Sequence, residues 1–153
     1  MIRNGTNEDV KQVNIIRKEV NDLHVKGEPE HFKGWTESIE NYVYEFIDSQ
    51  TKQLLVLEED NIIKTFAMIE FVEKPESNYR KAMKYLEINE FGTKEGFQGK
   101  GYGKALMQEI KNIAKEKGFS KLDLNVWNFN ESAVKFYERF GFEEYRTYVS
   151  FDV

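Results

Sequence analysis

The segment from Gly96 to Gly103 carries the strongest chemical signal in the chain. It reads Gly-Phe-Gln-Gly-Lys-Gly-Tyr-Gly and lies between a predicted strand and a predicted helix. Glycines let the backbone approach a ligand closely, and the first N–H groups of a helix favour an anion in front of them. Lys100 and Lys104 can add charge-assisted hydrogen bonds. We therefore predict an anion site for a phosphate group here.

Other phosphate-binding motifs do not fit these residues. A P-loop needs Lys and then Ser or Thr after its second glycine, but Tyr102 and Gly103 follow Gly101. A dinucleotide fingerprint needs G-x-G-x-x-G, and the segment that starts at Gly99 has Lys104 where the third glycine should be. Neither a P-loop nor a Rossmann site is predicted.

The spacing of apolar residues along the chain predicts the helices and strands that position this segment. We predict one α/β domain over residues 1–153, with a mixed sheet and helices packed on it. The predicted helices cover 6–27, 35–47, 102–117 and 131–140, and the predicted strands cover 2–3, 54–58, 62–72, 83–93 and 121–127, with closing strands in 142–153.

Composition excludes several classes of protein. The chain has no Cys and two His, which rules out a disulfide framework, a thiolate zinc site and a cysteine nucleophile, and no metal is predicted. A net charge of -5 argues against nucleic acid or anionic lipid as a partner. No apolar run is long enough to span a bilayer, and the first residues show no signal-peptide pattern, so we expect a cytoplasmic protein.

Two motifs together resemble the GNAT superfamily of N-acetyltransferases. Gln98, Gly101 and Gly103 fit the pattern Q/R-x-x-G-x-G/A, and residues 130–142 fit N-x-x-A-x-x-F-Y-x-x-x-G-F. Residues 85–93 look like the central cofactor-binding strand of that family. The resemblance covers about residues 52–145, and it implies a mostly antiparallel, twisted sheet of six or seven strands that is splayed in the middle and flanked by about four helices.

The resemblance implies acetyl-CoA as the acyl donor. The glycine loop would hold its pyrophosphate, the strand near Phe91 and Thr93 would pair with its pantetheine arm, and Asn130 would contact the same arm. Gly92, inside the strand, marks a predicted bulge or close backbone approach. The implied cofactor-binding residues are Phe91, Gly92, Thr93, Gln98, Gly99, Lys100, Gly101, Tyr102, Gly103, Lys104, Asn130, Ala133 and Tyr137.

The implied reaction is direct attack of a primary amine on the thioester. An alkylammonium has a pKa of roughly 10, so a carboxylate or a bound water should help to remove its proton. Glu87 and Glu90 are the candidate bases, with a slight preference for Glu87. They differ by three positions, and we expect them to face opposite sides of the sheet. Tyr137 is the candidate acid that protonates the departing CoA thiolate.

Some alternatives stay open. The same pocket would suit a non-catalytic acetyl-CoA sensor or an acyltransferase for a longer acyl-CoA. The amine acceptor, a small molecule or a protein amino group, is not fixed by the sequence. The protein is expected as a monomer or a homodimer, the latter through an aromatic C-terminal strand that contains Tyr145, Tyr148 and Phe151.

Overall fold

One five-stranded sheet with helices on both faces makes up the fold. The computed structural model describes residues 1–153. In chain order the elements are β1 Ile2–Asn4, a 3-10 turn Asn7–Asp9, α1 Val10–Gly27, α2 Glu37–Asn41, a 3-10 turn Tyr42–Phe46, β2 Lys52–Glu59, β3 Ile62–Lys74, β4 Met83–Thr93, α3 Tyr102–Glu116, β5 Leu122–Leu124 and α4 Glu131–Phe140.

The strands lie in the order β1-β2-β3-β4-β5. The first four are antiparallel neighbours, whereas β5 runs parallel to β4. The β4–β5 ladder is short, because it starts at the pair Leu86 and Leu122 and ends at the pair Ile88 and Leu124. Beyond Ile88, β4 is paired only with β3, so the sheet opens on the β5 side.

Side chains from the two faces of the sheet form two separate cores. On the first face α1 and the Tyr42–Phe46 turn cover β2 and β3, and the buried residues there are Val10, Val13, Ile16, Val43, Phe46, Leu54, Val56, Ile63, Phe66 and Met68. On the second face α3 and α4 cover the sheet, with Leu55, Ala67, Ile69, Leu86, Ile88, Leu106, Met107, Ile110, Ala114 and Phe119 buried.

A bulge in β4 changes which side chains reach each face. Met68 pairs with Glu90 and the next residue, Ile69, pairs with Ile88, so Asn89 is an extra residue without a partner on β3. Because side chains alternate along a strand, one extra residue reverses the alternation beyond it. Of the two alternatives predicted at Gly92, the bulge is wrong, since Gly92 pairs regularly with Phe66. The close approach agrees with the structure, since a Cβ at Gly92 would lie 2.9 Å from Val20 Cγ2.

The start of α1 is fixed by a cluster of polar contacts. The carboxylate of Asp9 accepts hydrogen bonds from the Thr6 backbone N–H at 2.8 Å and from Arg3 Nη1 at 2.7 Å. These contacts tie the first turn of the helix to β1, and they lower the pKa of Asp9, with the Arg3 hydrogen bond as the main cause.

The C-terminal segment is the main difference from the predicted fold. Residues 143–153 form no strand, and Tyr148, Val149 and Phe151 are exposed. β5 is also shorter than the predicted strand over 121–127. The sheet consequently has five strands instead of six or seven, because the apolar alternation in the C-terminal segment finds no partner strand. The α/β class and the splayed, mostly antiparallel sheet are confirmed. No helix has both the length and the apolar character needed to cross a bilayer.

Candidate functional site

The predicted anion site lies at the start of α3. Gly96, Gly99 and Gly101 have φ angles of +88°, +75° and +88°, which glycine adopts without steric cost. Gly101 is the residue before the first helical turn, and the backbone N–H groups of residues 101–104 donate to no backbone carbonyl. A 15-residue helix thus begins with free donors and the positive end of its dipole. This arrangement suits a phosphate.

The side chains around this loop differ in whether they are available to a ligand or already bonded to other residues. Gln98 Nε2 donates to the Thr93 carbonyl at 3.3 Å, which ties the loop to the end of β4. The Tyr102 hydroxyl contacts the Glu59 carboxylate, so only the backbone of Tyr102 is available to a ligand at the loop. Lys100 forms no ion pair, and its Nζ lies 5.3 Å from the Phe97 ring centre. Lys100 is therefore free to meet an anion.

A buried lysine that the sequence interpretation missed lies beside the loop. Lys64 is 4% exposed, and its Nζ lies 3.7 Å above the centre of the Phe97 ring. The Lys64 carbonyl accepts from the Lys94 N–H at 2.8 Å, which fixes the β3 backbone against the end of β4. A lysine at the start of an apolar strand gives no pattern that distinguishes it from a solvated residue.

The open edge of β4 adjoins the loop. Residues 89–93 lack a β5 partner, so their backbone groups on that side remain available to an extended ligand. Thr65 Oγ1 donates to the Gly92 carbonyl at 2.7 Å, and Thr93 Oγ1 donates to Thr65 Oγ1 at 3.2 Å. These bonds hold the β4 end against β3. Gly92 is needed for packing, since a Cβ there would lie 2.9 Å from Val20 Cγ2.

Glu87 and Glu90 lie on the same face of the sheet, and the prediction of opposite faces is wrong. Glu87 pairs with Glu70, Glu90 pairs with Met68, and Met68 belongs to the core under α1. Both partners occupy even positions of the regularly alternating part of β3, so both carboxylates share that face. The extra residue Asn89 is the physical reason.

The two carboxylates differ in what surrounds them. Glu90 accepts from Arg17 Nε at 3.1 Å and from Arg17 Nη2 at 3.0 Å. Glu87 forms no ion pair, and its pKa is raised, first by burial and then by the Glu70 carboxylate across the strand pair. A carboxylate with a raised pKa and no hydrogen-bond partner is the better proton acceptor. The geometry favours Glu87 over Glu90.

Arg17 was not identified from the sequence. Its side chain is 1% exposed and its guanidinium lies 5.4 Å from the centre of the Trp35 ring. Arg17 occupies the helical stripe that runs through Val13 and Val20. A charged residue inside an apolar stripe is the signal that could have pointed to a buried ion pair.

The second predicted motif forms α4 and places Tyr137 on the other side of β4. The ring of Tyr137 packs against Phe91 at 6.4 Å and Phe142 at 5.6 Å between centres. Burial raises its pKa to about 12, and burial is the only cause. The phenol is therefore protonated at neutral pH and is available as a hydrogen-bond donor.

Asn130 caps α4. Its Oδ1 accepts from the Ala133 N–H at 3.3 Å and from Ser132 Oγ at 3.3 Å. The Asn130 and Ala133 positions of the motif thus have a structural role in starting the helix, and the Asn130 amide nitrogen makes no bond within the chain. Phe136, from the same helix, stacks on Phe91 at 5.7 Å and holds α4 against β4.

A cavity of about 280 Å³ opens beside Glu87. It lies between the loop that follows β3 and the C-terminal segment, and Asp123 of β5 lines it together with Glu87. The Tyr145 hydroxyl donates to Asp123 Oδ2 at 2.9 Å, which holds the C-terminal segment over the sheet. This cavity is a candidate acceptor pocket.

An aromatic cluster joins the α1–α2 loop to the segment before α4. The rings of His31 and Phe32 lie 4.9 Å and 5.1 Å from that of Trp127, and the ring of His24 lies 5.7 Å from that of Phe129. The two histidines therefore have packing roles in the structure.

Comparison with known proteins decides the family. Residues 19–142 match the model of the acetyltransferase (GNAT) family. The chain belongs to the GNAT family. The resemblance carried by the two motifs is confirmed, and the match covers the β4 strand, the glycine loop and α4.

Solved structures share the whole GNAT fold of this chain. The BH1408 protein of Bacillus halodurans, solved as a tetramutant, superposes with a TM-score of 0.93 at 22% identity over 100% of this chain and 99% of that chain. The aminoglycoside N-acetyltransferase AAC(6')-Iy in complex with CoA superposes with a TM-score of 0.73 at 14% identity over 100% and 98% of the two chains. At these identities the likeness shows the fold.

Curated relatives match a shorter stretch. The uncharacterized N-acetyltransferase YycN of Bacillus subtilis is 40% identical over 57 residues, which are 37% of this chain and 36% of the relative. The streptothricin acetyltransferase of Streptomyces lavendulae is 39% identical over 57 residues, or 37% and 30% of the two chains. The matched stretch thus spans about a third of the length of these relatives.

Proposed function

We propose that the protein is an acetyl-CoA-dependent N-acetyltransferase that transfers the acetyl group to a primary amine. The observation that carries this proposal is the junction of β4 and α3. There the part of β4 that is paired only with β3 leads directly into a glycine turn whose backbone N–H donors are free. An extended arm that ends in a pyrophosphate matches both features, and membership of the GNAT family supports the same ligand.

The residues present fit this ligand. Three glycines at positive φ expose the loop backbone, and a Cβ at Gly96, Gly99 or Gly101 would meet no atom within 4 Å, so the space in front of the loop is open. Lys100 would add positive charge beside the pyrophosphate. When bound, acetyl-CoA supplies an activated acetyl group as a thioester.

Glu87 and Tyr137, on opposite faces of β4, would assist the attack of the amine and the departure of the thiolate. Glu87, directly or through a water molecule, would take the proton that the attacking ammonium must lose. The Tyr137 hydroxyl would stabilise the departing thiolate. A phenol with a pKa of about 12 is a weaker acid than an ordinary thiol at about 8.5. We therefore infer that Tyr137 acts mainly by donating a hydrogen bond.

The direct test is calorimetric titration of acetyl-CoA into Gly103→Asp and its neutral isostere Gly103→Asn. Gly103 has no positive φ, and a Cβ there would make only ordinary contacts, 3.5 Å from Phe136 Cζ and Thr93 Oγ1. The added carboxylate should weaken binding at least about 10-fold relative to Asn, through repulsion of the phosphates. Equal affinity of the two variants would contradict this cofactor site, and no binding to the wild type would overturn the proposed function.

A further inference from the structure

The cavity beside Glu87 is lined by side chains of both charges. The half-buried carboxylates of Glu87 and Asp123 line it from adjacent strands. Exposed cationic side chains also line it, namely Lys74 at the end of β3, Arg80 and Lys81 in the loop after β3, and Arg146 in the C-terminal segment. The chain as a whole has a net charge of -5, so four cations around one cavity form a local excess of positive charge.

These cations are free of carboxylate partners. The ion pairs of the chain within 4.0 Å involve none of the four. Arg146 lies over the rings of Tyr145 and Tyr148, at 6.0 Å and 5.4 Å from their centres, and Lys74 Nζ lies 5.9 Å from the ring of Tyr85. Their donors are therefore available to a ligand in the cavity.

Contacts within the chain restrain the segments that carry two of the cations. The Ser77 N–H donates to the Arg80 carbonyl at 2.9 Å, and the Arg80 N–H donates to Ser77 Oγ at 3.2 Å, which closes a tight turn. Arg146 directly follows Tyr145, whose hydroxyl is bonded to Asp123. Arg146 is thus carried by a segment anchored at one of the carboxylates, and Arg80 by a tight turn of a loop that lines the same cavity.

We infer that the acceptor is a zwitterion, an amine that carries an anionic group, a carboxylate or a phosphate, a few bonds from its amino group. The ammonium would sit at Glu87 and Asp123, while the anion would meet the guanidinium groups, which bind carboxylate and phosphate well. This inference rests on the proposed function and narrows its acceptor. A polycationic acceptor such as an aminoglycoside would place additional positive charges against the four cations.

The test compares acceptors that differ only in the anion. With acetyl-CoA in excess, release of CoA is measured for ornithine against putrescine, lysine against cadaverine, and phosphoethanolamine against ethanolamine. The first member of each carboxylate pair should have a kcat/KM at least about 10-fold higher, since several cations gain a partner. If only phosphoethanolamine is favoured, the anion is a phosphate. Equal or higher activity with the plain amines would overturn the inference.

Variants locate the effect in the cavity. Arg80→Gln and Arg146→Gln should each reduce the preference for ornithine over putrescine by about 3-fold or more, because each removes one cation. Lys111→Gln, on the exposed side of α3 and away from the cavity, is the matched control and should leave the preference unchanged. A preference that none of the cavity variants alters would count against the assignment.

A binding measurement separates this inference from the proposed function. Ornithine and putrescine are titrated calorimetrically into the protein saturated with CoA, which needs no turnover. Tighter binding of ornithine without acetylation of any acceptor would support the pocket and refute the enzymatic proposal. Acetylation of amines with equal binding of the two ligands would refute the zwitterionic acceptor and leave the enzyme intact.

Discussion

Arg17 of α1 and Glu90 of β4 form a two-pronged ion pair, with Nε–Oε1 and Nη2–Oε2 distances of 3.1 Å and 3.0 Å. The third nitrogen of the guanidinium donates to Asn14 Oδ1 at 2.8 Å and to the Ile39 carbonyl at 2.9 Å. One arginine thereby connects α1, α2 and β4. The Glu90 carboxylate is consequently committed to holding the fold.

The ion pair predicts a stability effect for Glu90. Glu90→Ala should lower the free energy of unfolding by about 1–3 kcal/mol, because it leaves the buried Arg17 without its carboxylate. Urea unfolding measures the change. The control is Asp22→Ala, which removes the exposed Lys18–Asp22 pair and should cost less than about 1 kcal/mol. If the two substitutions cost the same, the buried pair contributes no more than a surface pair.

The surroundings of Glu87 predict the pH dependence of the reaction. A base works only when deprotonated, so kcat/KM should rise with pH through the pKa of Glu87, which burial and the Glu70 carboxylate raise. Glu70→Gln removes the repelling charge across the strand pair. It should therefore lower that pKa and move the acidic limb of the profile to lower pH.

Glu87→Gln tests the same role by removing the carboxylate itself. It should remove the acidic limb and lower kcat by about 100-fold or more, within the usual range for a general base. Pre-steady-state measurement at several pH values separates chemistry from product release. A profile unchanged by both substitutions would move the role of base to a water held elsewhere.

Tyr137→Phe should lower kcat by about 10-fold or more while the KM for acetyl-CoA changes little. The substitution removes only the hydroxyl, and the ring contacts with Phe91 and Phe142 remain. Steady-state kinetics with varied acetyl-CoA tests this. Phe140→Leu, which changes another aromatic residue of α4, controls for altered packing. Full turnover in Tyr137→Phe would refute its role at the thiolate.

Gly92→Ala should destabilise the protein by about 1–3 kcal/mol through overpacking. The new Cβ would lie 2.9 Å from Val20 Cγ2 and 3.1 Å from Phe66 Cε1. Val20→Ala in the same chain should recover part of the loss by removing the nearest atom. Gly34→Ala is the matched control, since a Cβ there meets nothing within 4 Å. Thermal unfolding of these three variants beside the wild type checks the order.

Much of the fold follows from local pattern. The bounds of β4 agree with its predicted range, and α1 and α3 occupy their predicted stripes, because periodic apolar residues report the face that a long element buries. The C-terminal segment shows the limit of this reasoning. Its alternation is typical of a strand, but a strand also needs a free neighbouring edge, and that is a property of the whole sheet.

The part of the site that one short segment forms was predicted from the sequence. The part that distant segments form together was missed. The glycine turn before α3 is local, and its motif located it. The cavity beside Glu87 joins β4, β5 and two loops, so Asp123 and Arg146 became neighbours only through the fold. The common face of Glu87 and Glu90 depends on how β4 registers with β3, which no pattern within β4 shows.

The bulge at Asn89 has a consequence for protein engineering. Because Asn89 is an extra residue, the carboxylates of Glu87 before it and Glu90 after it share the face of the sheet that α1 covers. Leu86, Ile88 and Phe91 all face the opposite core. Deletion of Asn89 would make Ile88 and Glu90 consecutive, regularly alternating residues, so the side chains from Glu90 to Thr93 would keep their faces. Asn89 is therefore the position in β4 where we expect a deletion to be tolerated best.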